Sequence, residues 1–320
     1  MEIKKEAGGF QQIWNYLRSY VKEEFNLGSY FFAAVFLVIA IIYNYQVNFE
    51  KGILDSYQGT GLYFFLNLIY YAVPYLMGCV GIAIFQKKSD FFKKKGFWLV
   101  LFVFCFCLSF NSFYHWYNVL DLAPQLSYYA QKMVSKVVRC IVYLLPLYLY
   151  FLLIKKRKGG FFGLTTKGFK SSPYFIMMAI MIPLLLWASF NPDFLRSYPT
   201  SSVGMAERYL DVAPWMTFVP YEFLYALTFM ALEVLFRGFL LFEMEKYLGP
   251  KVVLPMVCVY CTLHFGKPMM ECISSIFGGF ILGVIAIKTR SVYGGVWVHI
   301  FIAVAMDVLA FMQEEYWMKD

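Results

Sequence analysis

The sequence predicts an all-α, polytopic transmembrane bundle of about eight or nine spans. Three observations predict it. Of 320 residues, 61% are hydrophobic, 21% aromatic and only 15% charged. Apolar runs of about twenty residues recur along the whole chain. Basic residues gather in short clusters between those runs. A soluble domain carries about 25% charge and about 45–50% apolar residues, so this composition belongs to a chain whose solvent is lipid. The net charge of +8 does not point to nucleic acid, because its carriers are loop clusters such as Lys155-Lys156-Arg157-Lys158. Seven cysteines lie almost entirely within apolar runs and read as buried small hydrophobes, without the spacing of a disulfide framework.

The opening segment is polar and mixed in charge, lacking the apolar core and small-residue cleavage site of a signal peptide. Residues 10–26 are expected to form a short interfacial helix with Phe10, Ile13, Trp14 and Leu17 on one face. Nine apolar runs then read as spans: 30–48, 60–85, 97–114, 137–154, 173–190, 217–243, 251–266, 272–288 and 291–312. The seventh is short, and the last two are close together. Basic residues stand at Lys4, Lys5, Arg18 and Lys22, at Lys87, Lys88 and 93–95, and at 155–158, Lys167 and Lys170. They return at Lys246 and Lys251 and at Lys288 and Arg290. Each cluster follows an even number of spans, which predicts a cytoplasmic N-terminus. The connector 115–136 and the loop 191–216, with Asp193, Arg196, Glu207, Arg208 and Asp211, are expected outside. Composition divides the chain into a scaffold at 1–154, a basic cytoplasmic linker at 155–172 and a membrane core at 173–320.

The core carries ionisable groups inside apolar runs, where each costs at least about 2.5–3.5 kcal/mol on insertion scales and normally marks function. Glu233 and Arg237 stand at i, i+4, on one helical face where they can pair. A structural ion pair between helices is the plainer reading. Glu222 lies near the same face. His264 precedes Gly266 and Pro268, which should break the helix, and has Lys267 and Glu271 nearby. Its plainer reading is an interfacial histidine satisfied by headgroups or water. Cys258, Cys261 and His264 have a metal-like spacing, but three-residue steps drift around a helix. His299 has Asp307 two turns along a similar face; helix-packing hydrogen bonds are the plainer use of both. Ser275, Gly279 and Gly283 form a small-residue stripe for close helix packing. A glutamate and two histidines converging at membrane depth suffice for hydrolysis, by activating water, orienting it, holding an oxyanion or binding a metal.

These residues resemble the CPBP (Abi) family of intramembrane peptidases, which includes the type II CAAX prenyl endopeptidases and proteins linked to bacteriocin processing or self-immunity. The resemblance rests on Glu233-x-x-Phe236-Arg237-Gly238, on Tyr260 four residues before His264, and on Arg290-Ser291-Val292-Tyr293 leading to His299; it covers roughly 217–312. Leu232 stands where the family has the first Glu of a pair, and Ala303 where it has Asn or a similar polar residue. The family's first Glu activates water and its Asn helps hold the oxyanion. Here Glu233 is expected as base, oriented by Arg237, with His264 positioning the water or a zinc ion and His299 stabilising the oxyanion. Glu271 and Asp307 are candidates to replace the missing groups. A metal, if used, would be Zn2+ held by His264, His299 and Glu233.

The resemblance implies an endopeptidase in a bacterial cytoplasmic membrane. Its substrate would be a peptide or a lipid-anchored protein, with membrane lipid as a further partner and no nucleic acid. A degenerate immunity or assembly factor is the main rival. A transporter is the second, although no inverted repeat relates the two halves.

Overall fold

A computed structural model describes residues 9–113, 122–167, 169–201 and 206–313; over these the chain is helical, with no strand among the described residues. Lys4, Lys5, residues 115–121 of the first expected outer connector and the last seven residues lie outside the described part.

The first helix, α1 (Gly9–Glu24), buries Ile13 and Tyr20 and exposes Phe10 and Trp14, which suits a helix lying in an interface. Five long helices follow: α2 (Leu27–Val47), α3 (Gly61–Gln86), α4 (Lys95–Phe113), α5 (Pro124–Leu153) and α6 (Ser172–Ser189). Local chemistry sets their starts. Asn26 caps α2 by accepting from the Ser29 amide at 3.0 Å, and Thr60 caps α3 by accepting from the Tyr63 amide. Prolines at the first helical turn open α5 and α6, where their missing N–H costs nothing. The helix α5 begins thirteen residues before the apolar run 137–154. Its extra turns carry Lys132 and Lys136, and Arg139 stands just inside the run. Lys136 is buried nonetheless, its ammonium over the rings of Tyr221 and Tyr225 at 5.1 and 4.5 Å.

The C-terminal part is α7 (Pro214–Glu233), a π-helical segment Val234–Leu240, α8 (Leu241–Leu248), α9 (Val253–Thr262), α10 (Met269–Thr289) and α11 (Tyr293–Met312). Among the described residues eight helical stretches are long and apolar enough to cross a membrane, one of them the 49-residue run Pro214–Thr262. That run holds the expected spans 217–243 and 251–266 together, and if straight it would be about 74 Å long, more than twice the hydrocarbon thickness. It turns back at Gly249, whose φ of +64° few other residues adopt, and so brings the Tyr260 ring to 5.4 Å from that of Phe236. With ten residues, α9 reaches only about 15 Å, half a bilayer, and the chain then bends through 263–268 into α10.

One core cluster runs from Tyr20 and Tyr75 through Phe104 and Phe236 to Val292, so the first four spans and the C-terminal helices pack as one body. Large apolar side chains such as Phe31, Phe65, Trp187, Phe223 and Phe277 cover the outside, as lipid requires. The basic end of the bundle is tied by ion pairs across elements. Lys155 reaches Glu243 at 3.1 Å, Lys288 reaches Glu23 at 3.3 Å, and Arg290 pairs with Glu245.

Candidate active site

The site forms where the π-helical segment, the end of α9 and the first half of α11 meet. The widened turn after Glu233 is a device often found at functional positions. The Arg237 Nη1 donates to Glu233 Oε1 at 2.6 Å, and His299 Nδ1 donates to the same oxygen at 2.8 Å. Glu233 and Arg237 are both wholly buried. The other oxygen, Oε2, lies against Gly295 of α11; a Cβ at that position would come within 2.2 Å of it. Glu233 Oε2, Arg237 Nε and Arg237 Nη2 have no hydrogen-bond partner among the described residues.

Tyr260 joins this group to His264. Its ring lies 4.3 Å from the Arg237 guanidinium carbon, 4.9 Å from the His264 ring and 6.3 Å from the His299 ring. Its carbonyl accepts from His264 Nδ1 at 2.9 Å. The α7 residue Phe229 closes the other side of His299, ring centroids 4.5 Å apart. Glu233, Arg237, His264 and His299 therefore surround one aromatic side chain, and both imidazoles use Nδ1 toward the protein.

Glu271 and Asp307 are engaged elsewhere. Glu271 Oε2 accepts from the Tyr198 hydroxyl at 2.8 Å, and Lys267 Nζ donates to the same hydroxyl at 3.2 Å. Burial and then the Glu271 carboxylate push the Tyr198 hydroxyl pKa up. Asp307 Oδ2 accepts from the Thr200 amide at 3.0 Å and from its hydroxyl at 2.5 Å. Both acids thus anchor the loop between α6 and α7 across α10 and α11. Glu222 is buried with neither oxygen partnered among the described residues; Asp307 and Lys136 are its charged neighbours. Ala303 packs with Tyr221 and Tyr225, so no polar group fills its position. Leu232 packs against the main apolar core.

The turn bearing His264 is held by residues that the sequence did not single out. Asn44 Nδ2 of α2 donates to the Phe265 carbonyl at 3.1 Å, and the Tyr45 hydroxyl donates to the Lys267 carbonyl at 2.6 Å. A polar Asn-Tyr pair at the end of an apolar run was the available signal.

A zinc ion needs three or four converging ligands. Among the described residues no three His, Cys, Asp or Glu side chains are so placed. Glu233 Oε1 is already occupied by Arg237 and His299. The donor set so placed does not fit a metal.

No curated protein and no solved structure matches the chain. Residues 214–305 match the family model described as Type II CAAX prenyl endopeptidase Rce1-like. That interval, under a third of the chain, holds Glu233, Arg237, Tyr260, His264 and His299, and over it this integral membrane protein is similar to the CAAX-type peptidases.

Proposed function

We propose that the protein is an intramembrane endopeptidase that hydrolyses a peptide bond in a membrane-associated or lipid-anchored substrate. The observation that carries this is the convergence of a buried carboxylate and two imidazoles from three separate elements on Tyr260. The family match supports the reaction class. Burying an acid and a guanidinium in a membrane core costs several kcal/mol per ion unless good geometry offsets it. A purely structural pair would have no need of two imidazoles beside it.

In this reading Arg237 fixes the Glu233 carboxylate, the carboxylate fixes His299, and Tyr260 fixes His264. Water is held between the two imidazoles and attacks the scissile carbonyl. The substrate reaches the site from the bilayer or the basic, cytoplasmic end, with the protein in the bacterial cytoplasmic membrane and its N-terminus inside.

The test compares wild type with Glu233→Gln, His264→Ala and His299→Ala at equal membrane abundance. The probes are farnesylated and palmitoylated internally quenched peptides in mixed micelles. Turnover by wild type and loss in all three variants is expected. Equal turnover in all four would end the assignment of these residues to catalysis. Leu232 and Ala303 favour one second reading, a non-catalytic immunity or assembly factor that keeps the fold. It expects no turnover by wild type and a loss of folding alone in the variants.

A further inference from the structure

We infer that His299, not Glu233, takes the proton from the attacking water, and that Glu233 is the carboxylate that orients it. The inference rests on the peptidase reading and assigns the roles within it.

Three observations carry it. First, Glu233 has no free approach. Its Oε1 accepts two short hydrogen bonds, at 2.6 and 2.8 Å, and its Oε2 is closed off by the main chain at Gly295. Second, accessibility favours the ring. The His299 side chain is 13% accessible, whereas those of Glu233 and Arg237 are 0% and 1%. Third, the hydrogen-bond direction fixes the tautomer. A carboxylate paired with a guanidinium can only accept, so the proton between Glu233 and His299 sits on Nδ1. The neutral ring then presents a lone pair at Nε2, the position from which a base works.

The resemblance sharpens the point. The family's water-activating Glu is Leu232 here, and no second carboxylate stands beside Glu233 in the chain. The remaining parts form a carboxylate–imidazole dyad, the arrangement by which serine hydrolases orient a histidine base, with water as the nucleophile in place of serine.

The step balances. His299 Nε2 takes one proton from water as the water oxygen bonds to the carbonyl carbon and the carbonyl π pair moves onto oxygen. The pair then returns, the C–N bond breaks, and the Nε2 proton passes to the leaving amine. Between these events the imidazolium is stabilised by the Glu233 carboxylate, which Arg237 holds in place. The groups facing His299 are Glu233 and Phe229 from α7 and Tyr260 from α9, with Arg237 of the π-helical segment behind Glu233 and His264 beyond Tyr260.

Two measurements on the full chain in detergent or nanodiscs test the inference. Nitrogen NMR of the histidine-labelled protein should show neutral His299 protonated at Nδ1, and Glu233→Gln should disturb that tautomer. An Nε2-protonated ring in wild type would overturn the inference whatever the substrate. In the peptide assay, His299→Gly should lose on the order of 10²–10⁴-fold in kcat. Added imidazole should restore at least about tenfold of that loss. His299→Gly that kept a tenth or more of wild-type kcat, while Glu233→Gln kept none, would return the base role to Glu233 and leave the peptidase reading intact. Absence of turnover by wild type would instead remove that reading, with the NMR result still deciding the dyad.

Discussion

Asn44 and Phe265, 221 residues apart, are joined by a buried hydrogen bond of 3.1 Å from the Asn44 amide to the Phe265 carbonyl. The first span thereby grips the turn that carries His264. The same side chain accepts from the Glu50 amide at 3.1 Å, so one asparagine ties α2, the segment after it and the turn that bears His264. Asn44→Ala strands a buried carbonyl and an amide at once. A cost of about 1–3 kcal/mol follows, read as a lower unfolding midpoint in detergent. Turnover should fall with it, because His264 loses its fixed turn; an unchanged midpoint would show that the grip is idle.

Glu50 sits in the π-helical segment Phe49–Leu54, outside the spans, with one carboxylate oxygen buried, without a hydrogen-bond partner among the described residues and facing Gly266. Burial, and then the charge of Asp55, push its pKa from 4.5 up to about 7. The folded value lies above the unfolded one, so Glu50 favours folding below pH 4.5 and that contribution is lost as pH rises through about 7. Glu50→Gln should therefore be more stable than wild type above pH 7 and indistinguishable from it at pH 4. Thermal unfolding at three pH values checks the sign; a gap that widened toward acid would contradict it.

Gly295 carries no functional group, yet it shapes the site. A Cβ there would stand 2.2 Å from Glu233 Oε2, too close for any real contact. Gly295→Ala must push the carboxylate or α11 aside, at about 1–3 kcal/mol as overpacking. It should also break the Glu233–His299 bond and cost turnover as heavily as His299→Ala. A variant that kept wild-type kcat would mean that Glu233 has room to retreat without harm.

Spans were legible because a long apolar run has few alternatives in water or lipid; α2, α3 and α4 lie close to where hydropathy puts them. The start of α5 was not, because Lys132 and Lys136 precede the apolar run, and the packing of Lys136 against Tyr221 and Tyr225 of a distant helix is not written in local sequence. The i, i+4 pairing of Glu233 with Arg237 could be read from one helix. The bond from Glu233 to His299 spans 66 positions, and no local spacing encodes it. Nor could the sequence show that Glu271 and Asp307 would meet Tyr198 and Thr200, since those partners lie in a loop without a pattern of its own.

That loop gives a separate prediction. Tyr198 and Thr200 pin it to α10 and α11 through Glu271 and Asp307, and the Tyr221 hydroxyl donates to the Thr200 carbonyl at 3.2 Å. The double variant Tyr198→Phe, Thr200→Val removes the hydroxyl bonds to Glu271 and Asp307, and with them those that Lys267 and Tyr221 donate to the two hydroxyls, while keeping the apolar bulk. Each is worth about 1 kcal/mol. Trypsin should cut at Arg196 and Arg208 several-fold faster, in a time course on the folded protein. Equal cutting would show that the loop is held by other contacts.

The buried pair itself can be dissected. Arg237→Met leaves the Glu233 carboxylate in the membrane core with only His299 against it, and removal of one partner of a buried pair costs about 3–5 kcal/mol. Membrane abundance should drop sharply. Glu233→Gln together with Arg237→Met removes both charges, and replacing a buried pair by neutral groups of similar size is often close to neutral in stability. The double variant should recover abundance and melting while remaining inactive, because His299 has lost the carboxylate that orients it. The two readouts separate the roles. Recovery of folding without activity makes the pair part of the chemistry, whereas recovery of both would reduce it to an ion pair that merely locks the π-helical segment in place.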